Sequence, residues 1–233
     1  SSERFGENIG ICMGDIAFFL SFELLGNLAV PEEIKTQVLS TYSQELSRVG
    51  FGQIRDVYHS MATDEPTAQD ILKVYESKTA RYTFVLPLVL GAYLAEQSPQ
   101  VINELTQLGI HIGLLFQLVD DRLSIFGTEK ETGKPAGTDI SRNNKTLYRY
   151  YLLRKSTPVL KKKLQNIFGK PVTMQDIDDV KNLIPELKID QIIDSKLAEL
   201  EEKSITLIQK LTISAENKDA LVSLVNFCKT RLV

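Results

Sequence analysis

Helical periodicity runs through almost the whole of this chain, and signals for strands are nearly absent. Apolar residues recur three and four positions apart, the spacing that builds one face of a helix. The pattern predicts a first helix from about Asn8 to Leu25, stopping near Gly26-Asn27, and Pro31 opens the next. That second helix runs to about Met61 despite Gly50 and Gly52. A third spans about Ala68 to Glu96 behind the capping residues Thr63, Asp64 and Thr67, and Pro87 is expected to kink it. A fourth covers Pro99 to Phe126, and the polar segment Gly127 to Asn144 is the one long loop. Beyond Lys145 come a short helix to about Lys155 and amphipathic segments near 157–168, 173–184, 188–212 and 216–231. No repeat, low-complexity tract or linker interrupts this series, so the chain is expected to form a single all-α domain over residues 1–233.

Charge and cysteine content exclude several classes of function. A net charge of −3 gives no basis for nucleic acid as a partner. The two histidines, His59 and His111, lack the spacing of zinc ligands. Cys12 and Cys228 both lie in apolar helical stretches and read as reduced core residues of a cytoplasmic protein. The longest apolar runs, Ile16 to Val30 and Tyr82 to Ala95, are interrupted and fall short of the roughly 20 residues a membrane span requires. Both are expected to be buried inside a helical bundle, with no membrane span.

Chemistry concentrates between Phe116 and Lys145. Phe116, Gln117, Asp120, Asp121 and Ser124 share one stripe of the fourth helix, since positions three and four apart neighbour each other. Two adjacent acids on an apolar helix repel each other unless a cation joins them, and a hard divalent cation with phosphate oxygens supplies one. Taken alone, the pair reads better as ordinary solvated carboxylates at an exposed helix end, and it is the company of the other motifs that changes this. Lys78, Thr79 and Tyr82 share a face of the third helix, where a lysine can meet a diphosphate and two hydroxyl oxygens can face developing positive charge. Gly52-Gln53 and Asp56 lie in the second helix, where close packing accounts for the glycines and Gln53 and Asp56 can face a polar cavity. The loop lysines do not form a nucleotide-binding motif: five residues separate Gly127 from Gly133, and Pro135 stands where a Ser or Thr is required.

Taken in order, Gly14-Asp15, Gly52-Gln53 with Asp56, Lys78-Thr79, Phe116-Gln117 with Asp120-Asp121, Gly133-Lys134-Pro135, Asp139 and Lys145-Thr146 resemble the trans-polyprenyl (isoprenyl) diphosphate synthases, such as geranylgeranyl or farnesyl diphosphate synthase. The matches cover about residues 5 to 155. The resemblance implies an all-α bundle around a deep apolar cavity, a homodimer, and Mg²⁺-assisted condensation of isopentenyl diphosphate with an allylic diphosphate. It assigns Mg²⁺ to Asp120 and Asp121, the departing diphosphate to Lys78, Lys134 and Lys145, and the cation to Gln117, Thr79 and Tyr82. It sets Phe116 against the isopentenyl unit.

Two departures qualify the transfer. Ser124 stands where the family motif has its third aspartate, and no first aspartate-rich motif precedes Gly14. The reading adopted is the C-terminal two-thirds or so of a longer synthase. The alternative is a non-catalytic regulatory subunit of a heteromeric prenyl synthase, for which Lys78, Gln117, Asp120 and Lys134 have no use. A terpene cyclase, the third option, has no need of the lysine set. Product chain length cannot be read from these residues.

Overall fold

The computed structural model describes residues 2–62, 64–128, 133, 135 and 137–230. Among these the regular structure is helical throughout, as the periodicity requires. In chain order the elements are α1 (Ser2–Gly26), α2 (Glu32–Met61), α3 (Ala68–Tyr75), a π-helical segment (Glu76–Val85), α4 (Leu86–Leu94), α5 (Pro99–Phe126), α6 (Thr138–Ser141), α7 (Leu147–Lys155), α8 (Pro158–Ile167), α9 (Met174–Glu186), α10 (Ile189–Lys210) and α11 (Ala215–Thr230).

Local chemistry sets most of the boundaries. Thr67 caps α3 by accepting from the Asp70 N–H at 3.2 Å, while the Asp70 carboxylate accepts from the Thr67 N–H. Thr173 and Asp176 repeat this reciprocal cap at α9. Ser98 and Thr157 cap α5 and α8, each followed by a proline at the first helical position. Of the three capping residues expected before α3, Thr67 makes the cap, and Thr63 lies outside the described residues.

α5 is the axis of the bundle. It packs against the π segment, α4, α10 and α11, and its Leu108, Ile112, Leu115 and Leu118 are fully buried. Together with Leu147, Leu152, Ile184, Ile189 and Ile193 they belong to one core cluster. A side chain of this size contributes about 1.5–3 kcal/mol on burial, which makes α5 the rigid reference for everything it carries.

Four expectations are corrected. The third predicted helix is not one α-helix bent at Pro87. It rewinds as a π-helix over Glu76–Val85, where the Leu86 N–H reaches back to the Arg81 carbonyl, and returns to α at Leu86. This wider turn ends just ahead of Pro87, whose ring a continuous α-helix would press against the preceding turn. The loop after α5 is likewise interrupted by the short α6.

The other two corrections concern α1. It is not buried: Phe19, Leu24 and Ile11 are 69, 69 and 64 % exposed. It touches the bundle through α2, where Tyr42 donates to the Ser21 hydroxyl at 2.7 Å and the Phe22 and Tyr42 rings meet edge to face. Cys12 is exposed with it, whereas Cys228 is buried as predicted. By length and composition alone Arg4–Gly26 could also cross a membrane, with a mean hydropathy of 1.7 and none of that stretch buried. The apolar run from Ile16, interrupted by Glu23 and Asn27, falls short of a span, but the helix that contains it is long enough when counted from Arg4. Asp15 sits in the middle of this stretch, where a charge opposes insertion into hydrocarbon.

Candidate active site

The π segment is wedged between α2 and α5 because glycines face it on both sides. A Cβ on Gly113 would lie 2.3 Å from Ala80, and one on Gly52 would lie 2.6 Å from the Ser77 hydroxyl and 3.1 Å from the Lys78 nitrogen. Gly109 faces Val85 in the same manner. Close packing therefore explains Gly52, as expected, but not Gly50, around which there is open space.

This approach brings distant polar residues into bonding range. The Lys78 ammonium meets the Asp56 carboxylate at 2.6 Å. The Thr79 hydroxyl donates to Gln117 Oε1 at 2.7 Å, and Gln117 Nε2 donates to Asp121 Oδ1 at 2.9 Å. Asp121 Oδ2 accepts in turn from the Tyr75 hydroxyl. Opposite this wall, α6 and the start of α7 present Asp139, Arg142, Asn144 and Lys145.

Together these groups enclose a cleft of about 410 Å³. Lys78, Thr79, Tyr82, Gln117, Asp120, Asp121 and Lys145, all predicted from sequence, line it, as do Asp56, Ser124 and Asp139. Phe116 does not: it packs on Phe84 beside the core, with ring centroids 5.4 Å apart. Lys134 lies outside the described residues. Among the described residues the lining is polar rather than apolar, with Val74 its one aliphatic residue. Burial stripes explain the difference, because the apolar face of α5 is consumed by the core and its polar edge faces the cleft. The exposed apolar side chains nearby in sequence, Phe51 and Ile54, sit on another face of α2.

Burial gives the site its electrostatic character. Asp121 is 3 % exposed, and this burial pushes its carboxyl up to about 8 against the pull of the Tyr75 and Gln117 hydrogen bonds. Burial likewise drives the Tyr75 hydroxyl well above its ordinary value. Both shifts reflect the cost of placing negative charge in this buried pair, and an incoming cation would favour the ionised form of Asp121. Lys145 is pushed down by burial and by the neighbouring Arg149, and is partly compensated by Glu65 at 3.6 Å. Glu65 itself is held below the usual carboxylate range by Arg149, which donates to both of its oxygens.

The donor set fits Mg²⁺ shared with a phosphate ligand. Among the described residues no group of three His, Cys, Asp or Glu side chains could hold a metal by itself. Mg²⁺ is commonly bound through one or two carboxylates together with substrate phosphates and water, and Asp120 and Asp121 line the cleft beside two lysines. Sequence reasoning missed Tyr75, Glu65 and Arg142. Tyr75 had a usable signal, since it stands three residues before Lys78 on the same helix. Glu65 and Arg142 act across loops and leave no periodic trace.

Comparison with known proteins bears on family and fold. The family model described as polyprenyl synthetase matches residues 1–187. Geranylgeranyl diphosphate synthase of Saccharolobus solfataricus is 29 % identical over 78 % of this chain and 55 % of its own length. A short chain isoprenyl diphosphate synthase of Methanocaldococcus jannaschii is 28 % identical over 79 % of this chain and 54 % of its own. The chain thus spans about half the length of these curated relatives. A crystal structure of geranylgeranyl pyrophosphate synthase from Corynebacterium glutamicum, complexed with isoprenyl diphosphate and magnesium, superposes with a TM-score of 0.91. It is 28 % identical, and the match covers 98 % of this chain and 65 % of that one.

Proposed function

Because the chain belongs to the polyprenyl synthetase family, we propose that its cleft condenses isopentenyl diphosphate with an allylic diphosphate to give a longer polyprenyl diphosphate. The observation that carries this reading is the convergence of Lys78, Thr79, Gln117, Asp120, Asp121 and Lys145 on one cleft from three separate segments.

In this account Lys78 and Lys145 hold the diphosphate of the allylic substrate, and Lys134 joins them. The carbon–oxygen bond breaks with its electron pair leaving on the diphosphate, whose charge the two cleft lysines stabilise. Asp120 and Asp121 hold Mg²⁺, which when bound supplies further neutralisation of the leaving oxygens. The Gln117 carbonyl, the Thr79 hydroxyl and the Tyr82 phenol turn oxygen dipoles toward the developing carbocation. The double bond of isopentenyl diphosphate then forms the new carbon–carbon bond, and the proton lost in restoring the alkene passes to the released diphosphate. Before substrate arrives, Asp56 and Glu65 occupy the two lysines. This keeps the partly buried ammonium groups paired, and the incoming diphosphate replaces those partners.

Homodimerisation, a cytoplasmic setting and a place as part of a longer synthase complete the proposal. The exposed apolar side chains of α1 and α2 support burial of that face against further protein. The free, exposed Cys12 supports a reducing environment. Incorporation of labelled isopentenyl diphosphate, with Mg²⁺ and allylic primers of increasing length, tests the central step. Asp120→Ala is expected to abolish incorporation by the intact protein, and near-normal turnover in that variant would contradict the assignment.

A further inference from the structure

Tyr75 ends α3, is 7 % exposed, and carries a hydroxyl with two partners. It accepts from the Leu147 backbone N–H at 3.0 Å and donates to Asp121 Oδ2. Leu147 opens α7 directly after Lys145-Thr146, so one phenolic oxygen joins α3, the acid-bearing α5 and the turn that presents Lys145.

The direction of these bonds matters. The Leu147 N–H can only donate, so it occupies a lone pair on the phenol and leaves the hydroxyl proton for the carboxylate. With Oδ1 already bonded by Gln117, both oxygens of Asp121 are fixed in orientation. A phenylalanine would fill the same apolar space beside Val74 and the core, so packing alone does not call for the hydroxyl.

We propose that Tyr75 is a positioning residue that acts through Asp121: it aims the carboxylate into the cleft and ties its placement to the Lys145 turn. The inference rests on the reading of the cleft as a Mg²⁺-diphosphate site. Groups that hydrogen-bond a metal-binding carboxylate from behind set its orientation, and their loss typically weakens metal affinity about 10- to 100-fold.

The test is a calorimetric titration of inorganic pyrophosphate, with and without Mg²⁺, into the chain and three variants: Tyr75→Phe, Asp121→Asn, and the two combined. Wild type is expected to bind only with Mg²⁺, and Tyr75→Phe to bind about tenfold more weakly. In the Asp121→Asn background the same Tyr75 change is expected to add less than about twofold, because its route of action is already removed. Equal weakening in both backgrounds would reduce Tyr75 to packing and overturn the proposal. Binding that Tyr75→Phe leaves unchanged would overturn the proposal alone, whereas no binding by wild type overturns the reading of the cleft and the proposal with it. A fluorotyrosine at position 75 gives a readout that does not depend on the phenylalanine variant folding. Its fluorine resonance should move when Mg²⁺ and pyrophosphate are added together, and a resonance unmoved by saturating ligand would contradict the role.

Discussion

α1 and α5 carry similar apolar content and meet opposite fates. α5 buries twelve of its residues and carries the acids of the cleft, whereas among the described side chains of α1 none is buried. Hydropathy does not separate them. What does is the complementarity of their neighbours. On α5 the glycines at 109 and 113 receive the π segment, and Gln117 and Asp121 find polar partners one or two turns further on. On α1 the glycines at 6, 10 and 14 face open space. A helix becomes core when its small and polar positions have counterparts as well as its apolar ones.

The sharpest way to break this contrast is to fill one glycine of α5. Gly113→Val places branched carbon where Ala80 already stands, and separation of the π segment should destabilise the fold by about 3 kcal/mol. A urea melt reads this directly. The same change at Gly14 on α1, with nothing within 4 Å, should cost little. Comparable losses at both positions would show that the two helices are equally packed.

Next in size is the ion pair behind Lys145. Glu65 is held below its ordinary value of 4.5 by Arg149. A carboxyl lowered on folding contributes stability above its unfolded pKa and loses it as the pH falls through the lower folded one. Stability should therefore decline below about pH 4.5, and Glu65→Gln should flatten that decline while lowering stability at neutral pH by about 2 kcal/mol, since it strips the nearly buried Arg149 of its counter-charge. A pH series of thermal melts distinguishes this from a decline that persists unchanged in the variant.

The smallest effect is expected on α1. Phe19 is 69 % exposed in the single chain, so in dilute, monomeric protein Phe19→Ala should alter stability by less than about 0.5 kcal/mol. At higher concentration the proposed homodimer requires a larger loss and melting that depends on protein concentration, and melting independent of concentration would contradict it.

These contrasts also mark what the sequence made legible. Helical periodicity and caps placed nearly every element, because a helix is a local structure whose start and stop are written in adjacent residues. The ordered motifs placed Lys78, Thr79, Gln117, Asp120 and Lys145 around one cleft for the same reason: each sits on a helix face or at a cap. The π rewinding of Glu76–Val85 was not legible, since it follows from the approach of Gly113 and Gly52 rather than from its own residues. Tyr75 and Glu65 escaped notice because their partners lie 46 and 84 residues away in sequence. The exposure of α1 was hidden because an apolar helix reads as core until its neighbours are known.

The central claim is that the π segment, α5 and the turn before α7 form a Mg²⁺-diphosphate site. Hydrogen–deuterium exchange with and without Mg²⁺ and pyrophosphate tests it most directly. The account predicts slower exchange in residues 76–85 and 138–147 when both are present, with α1 unchanged. Protection on α1, or none around the cleft at saturating ligand, would contradict it.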